Sequence, residues 1–278
     1  LAGGLALLVS LNTLLLLAAL LPVYHLCRLA TNQLKLSVVC ALLPAILLLY
    51  FGSVRSQVFS FALFSAFYWV LSAYRSRRRD ILWILPLMMI VWVNVHGAFM
   101  LGLGLIGLFL GCETARWLAF GERPDTLRPA ELRRLALFLI LTAVVTVVNP
   151  EGWKLYAYVR AVATNPASQQ LVLEWQPPRI NELIGIVLFY GPFFVTLLVL
   201  LGASRKPDLI DLVLVLIFSA LGLSALRNGV WFSLIAAPIL ARYYPTIDFC
   251  PARDTLRRLG TGRLVDWMGP RSGPPAPI

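Results

Sequence analysis

Along this chain, long apolar runs alternate with short polar breaks, and most runs carry no polar stripe of the kind an amphipathic surface helix needs. The pattern predicts membrane helices at about 1–23, 36–51, 57–74, 81–93, 98–112, 131–148, 183–202, 209–226 and 229–241. The stretch 81–112 organises the rest: it is apolar throughout except at Asn94-Val95-His96-Gly97. A straight helix over that stretch would be about 48 Å long, against a hydrocarbon core of about 30 Å. Asn94 and Gly97 are turn formers, so the spacing predicts a hairpin with arms 81–93 and 98–112. Each arm is short for a full crossing, which leaves two arrangements open, a tilted spanning pair and a re-entrant pair. On the return arm Gly104, Gly107 and Gly111 share one face, a spacing that lets helices pack closely in lipid.

Composition makes the membrane reading firm. Of the 278 residues 59% are hydrophobic and 13% charged, with mean hydropathy +0.81, whereas an ordinary soluble domain is about 25% charged. The expected class is an all-α polytopic helix bundle at 1–244 followed by a basic, Pro/Gly-rich tail at 245–278 that ends in disorder. Its first residue is Leu1, in an apolar run with no basic leader or small-residue cleavage site. The expectation is a spanning helix in a piece of a longer or processed reading frame.

The net charge of +11 would suit nucleic acid, but its placement argues for an orientation signal instead. Loops of one parity and the tail hold nineteen basic residues, including Arg75, Arg77, Arg78 and Arg79. The other side holds five: Arg55, Lys154, Arg160, Arg179 and Arg227. That asymmetry places the amino terminus outside and the carboxyl terminus in the cytoplasm. It also favours the hairpin, because a single crossing of 81–112 would put the arginines between Arg116 and Arg134 opposite the 75–79 cluster. Cys27, Cys40, Cys112 and Cys250 all avoid outer loops, so reduced thiols are expected, with neither disulfide nor metal cluster.

The outer loop at 149–182 is the only sizeable one on its side. Asn149-Pro150 stops the helix before it, and 151–163 suits a short interfacial helix with Trp153, Tyr156 and Tyr158. Several polar residues fall at outer helix ends: Arg55 and Gln57, Asn94 and His96, Asn149 and Glu151, Arg227 and Asn228. Guanidinium groups offer bidentate donors to phosphate oxygens, so together these residues suit a lipid phosphate. Taken singly each has a plainer reading. Arg55 and Arg227 can snorkel to headgroups, His96 can cap its turn, and Glu174 can pair with Arg179. With two histidines, His25 and His96, a multi-histidine metal site is excluded, and no nucleophile elbow, P-loop or His-Glu-x-x-His occurs.

At these residues the chain resembles bacterial multi-spanning proteins related to the GT-C glycosyltransferases. The resemblance rests on Arg55-Ser56-Gln57-Val58-Phe59-Ser60, Trp92-Val93-Asn94-Val95-His96-Gly97-Ala98-Phe99, Asn149-Pro150-Glu151-Gly152, Glu174-Trp175, and Arg227-Asn228 ahead of Pro238. It implies a polyprenyl-phosphate-linked sugar as donor and an active site built by helix ends at the outer face of a bacterial inner membrane. Arg55, Gln57, Asn94, His96, Arg227 and Asn228 would then bind substrate, with Glu174 or Glu151 as base. Such enzymes commonly carry an acid in the first outer loop, and 52–56 has none. No cofactor is visible, and a divalent metal would need an acid supplied ahead of Leu1. The competing expectations are a lipid or small-anion transporter, favoured by an inverted repeat, and a non-catalytic scaffold, favoured if the outer polar residues lie apart.

Overall fold

A computed structural model describes residues 2–165 and 171–248. The described chain is helical, and its one bridge pairing joins Ala203 to Ile247. In order, the helices are α1 (Ala2–Thr31), α2 (Leu34–Phe51), α3 (Gln57–Arg75), α4 (Ile84–Val95), α5 (Phe99–Phe120) and α6 (Pro129–Val144). They are followed by α7 (Lys154–Ala163), α8 (Leu183–Gly202, with a π turn at Ile186–Tyr190), α9 (Leu209–Ser224) and α10 (Gly229–Tyr243). Among the described residues, five helices are long and apolar enough to cross a membrane: α1, α2, α3, α5 and α8. α4 and α9 are equally apolar but shorter.

α10 forms the centre. Nearly every residue from Gly229 to Tyr243 is buried, and the helix packs against α1, α2, α8 and α9. A helix apolar all round has no solvent face, so it belongs inside a bundle. Trp231 on α10 meets the rings of Phe61 and Phe64 from α3 at 5.0 and 5.1 Å. The outer faces of the surrounding helices are apolar too, with Leu49, Leu198, Leu201 and Leu216 exposed, as lipid-facing positions are.

Several boundaries differ from the sequence expectation. α1 does not stop at 23 but runs through Pro22 to Thr31, so His25 and Arg28 are helical, and His25 Nδ1 accepts a bond from Trp69 Nε1 at 2.8 Å. α5 continues eight residues past Cys112. Glu113 and Arg116, which composition would assign to a loop, are buried in it because their charges neutralise each other at 2.9 Å and find further partners on neighbouring elements. The glycine face is also reversed. A side chain at Gly104, Gly107 or Gly111 would meet open space, whereas Gly102 presses on Trp92, Met89 and Phe67. Cys27, Cys40 and Cys112 are free and buried, and Cys250 lies outside the described residues. Residues 245–248 fold back on the end of α8 through Ser204 N to Thr246 O, and the rest of the tail lies outside the described residues.

Arg77, just past α3, sits at φ 52°, a backbone region uncommon for a residue other than Gly or Asn. Its guanidinium holds it there by donating to the carbonyls of Pro124 and Thr126 at 2.7 and 2.6 Å and to both oxygens of Glu131. This clamp draws the α5–α6 connection under the end of α3.

Candidate functional site

The polar residues at one end of the bundle gather around the start of α3. Gly52 closes α2, and the short turn after it delivers Arg55 just ahead of Gln57, the buried first residue of α3. Arg55 Nη1 donates to both carboxylate oxygens of Glu174, at 2.9 and 3.2 Å. Glu174 belongs to a single helical turn, Leu173–Trp175, and the next residue in that turn, Trp175, lies flat under Arg227, whose guanidinium carbon is 3.6 Å from the ring centroid. Leu226 N donates to Gln176 O at 2.9 Å, fixing this turn against the connection between α9 and α10. Glu174 does not pair with Arg179. Pro177-Pro178 keeps the chain extended between them, and Arg179 pairs with Glu182 instead, at 3.0 Å.

His96 occupies the break between α4 and α5, where its backbone is extended (φ −160°, ψ 140°). Trp92 Nε1 donates to Ser60 Oγ at 2.8 Å, which leaves the Ser60 hydroxyl hydrogen to donate to His96 Nδ1 at 2.9 Å. Ala98 N also approaches Nδ1, at 3.3 Å. With two donors aimed at Nδ1, the neutral imidazole carries its hydrogen on Nε2. Burial pushes the His96 pKa down, and the charge of Arg227 pushes it further the same way. Burial also lowers the pKa of Arg227, with Glu174 opposing and Arg55 adding to the shift, so these four charged or titratable side chains share one electrostatic neighbourhood.

A pH dependence follows. Below about 6.5 the unfolded chain protonates its imidazole while folded His96 resists, so the unfolded state binds more protons. The contribution of His96 is complete above that value and is lost as pH falls through the lowered folded value. We expect the melting temperature of the wild-type chain to drop between about pH 7 and about pH 5, and His96→Gln to drop less. Identical pH slopes would show that another group is responsible.

The other predicted site residues are placed differently. Asn94 donates to Ile90 O and to Val148 O, both at 2.8 Å, and so ties α4 to the residue that closes the 3-10 turn after α6. Asn228 caps the end of α9 through Leu221 O at 3.1 Å. Glu151 is exposed in a turn closed by its own N–H on Asn149 Oδ1 at 2.9 Å, and among the described residues no contact joins it to Arg55, His96 or Arg227. Glu174 is therefore the carboxylate within the cluster. Ser60, Trp92 and Trp175 are cluster residues to which the sequence reading assigned no role. The available signal was spacing: Ser60 lies one turn from Gln57 on the same face of α3, and Trp92 lies one turn before His96. Among the described residues no three His, Cys, Asp or Glu side chains gather as a metal site.

Chemically, the cluster offers two guanidinium groups, a neutral imidazole and one carboxylate at the rim of an apolar bundle. The Arg55–Glu174 pair is exposed, with 57% of the Arg55 side chain accessible, and such pairs contribute only about 0–1 kcal/mol. An arriving anion can displace Glu174 from Arg55 at little cost. Comparison with family models, with curated proteins and with solved structures finds no match for this chain.

Proposed function

We propose that this protein is a membrane glycosyltransferase of the GT-C kind that holds a polyprenyl-phosphate-linked sugar at the outer face of a bacterial inner membrane. One observation carries the reading: Arg55, His96, Glu174 and Arg227, distant in sequence, form one electrostatic cluster at one end of a bundle of apolar helices. A scaffold reading expected these residues to lie apart. In the proposed role, Arg55 and Arg227 bind the phosphate, Trp175 holds Arg227 flat, and Glu174, released from Arg55, acts as base. His96 offers its Nε2 hydrogen to a phosphate or sugar oxygen, and Gln57, Asn94 and Asn228 support the surrounding turns. Nine membrane segments, with 81–112 passing in and back, keep the basic loops on the cytoplasmic side and the cluster outside.

The test combines orientation and binding. In a chain whose own cysteines are replaced, a cysteine at Ser53 should react with a membrane-impermeant thiol reagent in right-side-out vesicles, and one at Ser204 should not. Polyprenyl phosphate should protect the Ser53 position. Arg55→Ala or Arg227→Ala should weaken that protection by about 1.5–3 kcal/mol, roughly ten- to a hundredfold. Lys at either position should restore it only in part, because an ammonium lacks the bidentate fork. Labelling at Ser204 but not Ser53 would reverse the orientation, and full protection in the double Ala variant would leave the arginines as headgroup anchors only.

A further inference from the structure

A second polar centre lies at the opposite ends of the same helices. α3 runs from Gln57, beside the first cluster, to Arg75, about 27 Å away at the helical rise. α9 and α10 bring Asp208, Asp211 and Arg242 to that end, and α5 brings Glu113 and Arg116. The acids there are fully engaged. Arg75 binds Glu113 at 2.7 Å and also Asp208, Arg116 binds Asp125 at 2.5 Å, and Arg242 binds Asp211 at 2.6 Å. Asp211 accepts a further bond from the Tyr243 hydroxyl at 2.7 Å. Burial pushes the Asp208 carboxyl up, but Arg75 and Arg116 outweigh it and hold it below the ordinary carboxylate range.

These groups surround an open cavity of about 160 Å³. Its walls include four arginines (Arg75, Arg77, Arg205 and Arg242) against three aspartates (Asp125, Asp208 and Asp211). Arg75 is paired with Glu113 and Asp208, Arg77 with Glu131 and Arg242 with Asp211, so Arg205 is the lining arginine without an acid partner among the described residues. Arg242 Nε is buried without a hydrogen-bond partner. Tyr68 is 2% exposed and lines the cavity, and its hydroxyl has no partner among the hydrogen bonds of the described residues. Arg205 is exposed and also lines the cavity. A buried donor without a partner is costly, and an anion beside it relieves that cost. A cavity of about 160 Å³ has room for one phosphate group.

We infer that this cavity is a second anion site, which takes a single phosphate group between Arg205, Arg242 and the Tyr68 hydroxyl. The inference stands apart from the proposed transferase reading, since no residue is shared between the two centres. The same chemistry is offered by free inorganic phosphate and by the headgroup of a phosphatidate lipid at this surface.

The experiment uses the full chain. Melting is followed in detergent with and without inorganic phosphate, and in nanodiscs of phosphatidylcholine with and without phosphatidate. Stabilisation by inorganic phosphate in detergent identifies the free anion as a ligand, and stabilisation by phosphatidate alone identifies the lipid headgroup. Arg205→Gln and Tyr68→Phe remove one donor each without touching the buried ion pairs, and each should weaken the stabilising ligand about tenfold or more. Arg179→Gln, exposed and outside both centres, should leave that affinity unchanged, and Arg55→Ala separates out any phosphate held by the first cluster. No stabilisation by either ligand, or equal stabilisation in the wild-type chain and both variants, would overturn the inference.

Discussion

Replacing Glu113 by Ala is expected to destabilise the folded chain by about 3–5 kcal/mol, the range for removing one partner of a buried ion pair. Glu113 is fully buried. One oxygen receives Arg75 Nε at 2.7 Å and Arg116 Nη1 at 2.9 Å, and the other receives Leu127 N at 3.3 Å. Among the described residues no other carboxylate touches α3, α5 and the α5–α6 connection at once. Its removal leaves Arg75 and Arg116 with only their more exposed partners, Asp208 and Asp125, and strands a backbone N–H. Glu113→Gln keeps an acceptor but not the charge, and should fall between the two. Denaturant or thermal unfolding in a fixed detergent measures the effect. A loss under about 1 kcal/mol for Glu113→Ala would mean that the arginines re-pair freely and that this end of the bundle is not held by the network.

The second large effect is steric. Gly222 on α9 lies against Phe189, and a side-chain carbon there would come within 2.2 Å of the Phe189 ring. Phe189 has nowhere to retreat: it is fully buried and packs on Phe193 and Phe232 at 5.9 and 5.7 Å. Gly222→Ala should therefore cost about 1–3 kcal/mol through overpacking. Adding Phe189→Leu should recover part of the loss, since the smaller side chain yields the space. Gly107→Ala, at an open position, should stay within about 0.5 kcal/mol of wild type. Equal melting temperatures for Gly222→Ala and Gly107→Ala would show that α8 and α9 are not packed this closely.

What the sequence by itself determined is local. The apolar runs specify helices because lipid-length hydrophobic segments satisfy their backbone only as helices. Each predicted run holds a helix among the described residues, beginning at Ile84 in the fourth and ending at Val144 in the sixth, and five of these helices are long and apolar enough to cross a membrane. A break within 81–112 was legible because turn chemistry acts over a few residues, but it falls at 96–98, since Asn94 and Val95 still belong to α4. Arg55, His96 and Arg227 were legible as candidates from their positions at helix ends, whereas Glu174, inside the 149–182 loop, entered through the family resemblance.

Tertiary structure alone decided the pairings. Whether Glu174 meets Arg55 or Arg179 depends on where a diproline stretch carries the chain, and 119 residues separate the pair that forms. α5 runs on through Glu113 and Arg116 because charges from α3 and from the segment before α9 neutralise them, a fact absent from the α5 sequence. The glycine that packs is Gly102 because Trp92 and Phe67 arrive from other helices, while the repeating Gly104, Gly107 and Gly111 look outward. Periodicity tells which residues share a face, but only the arrangement of distant helices decides what that face meets.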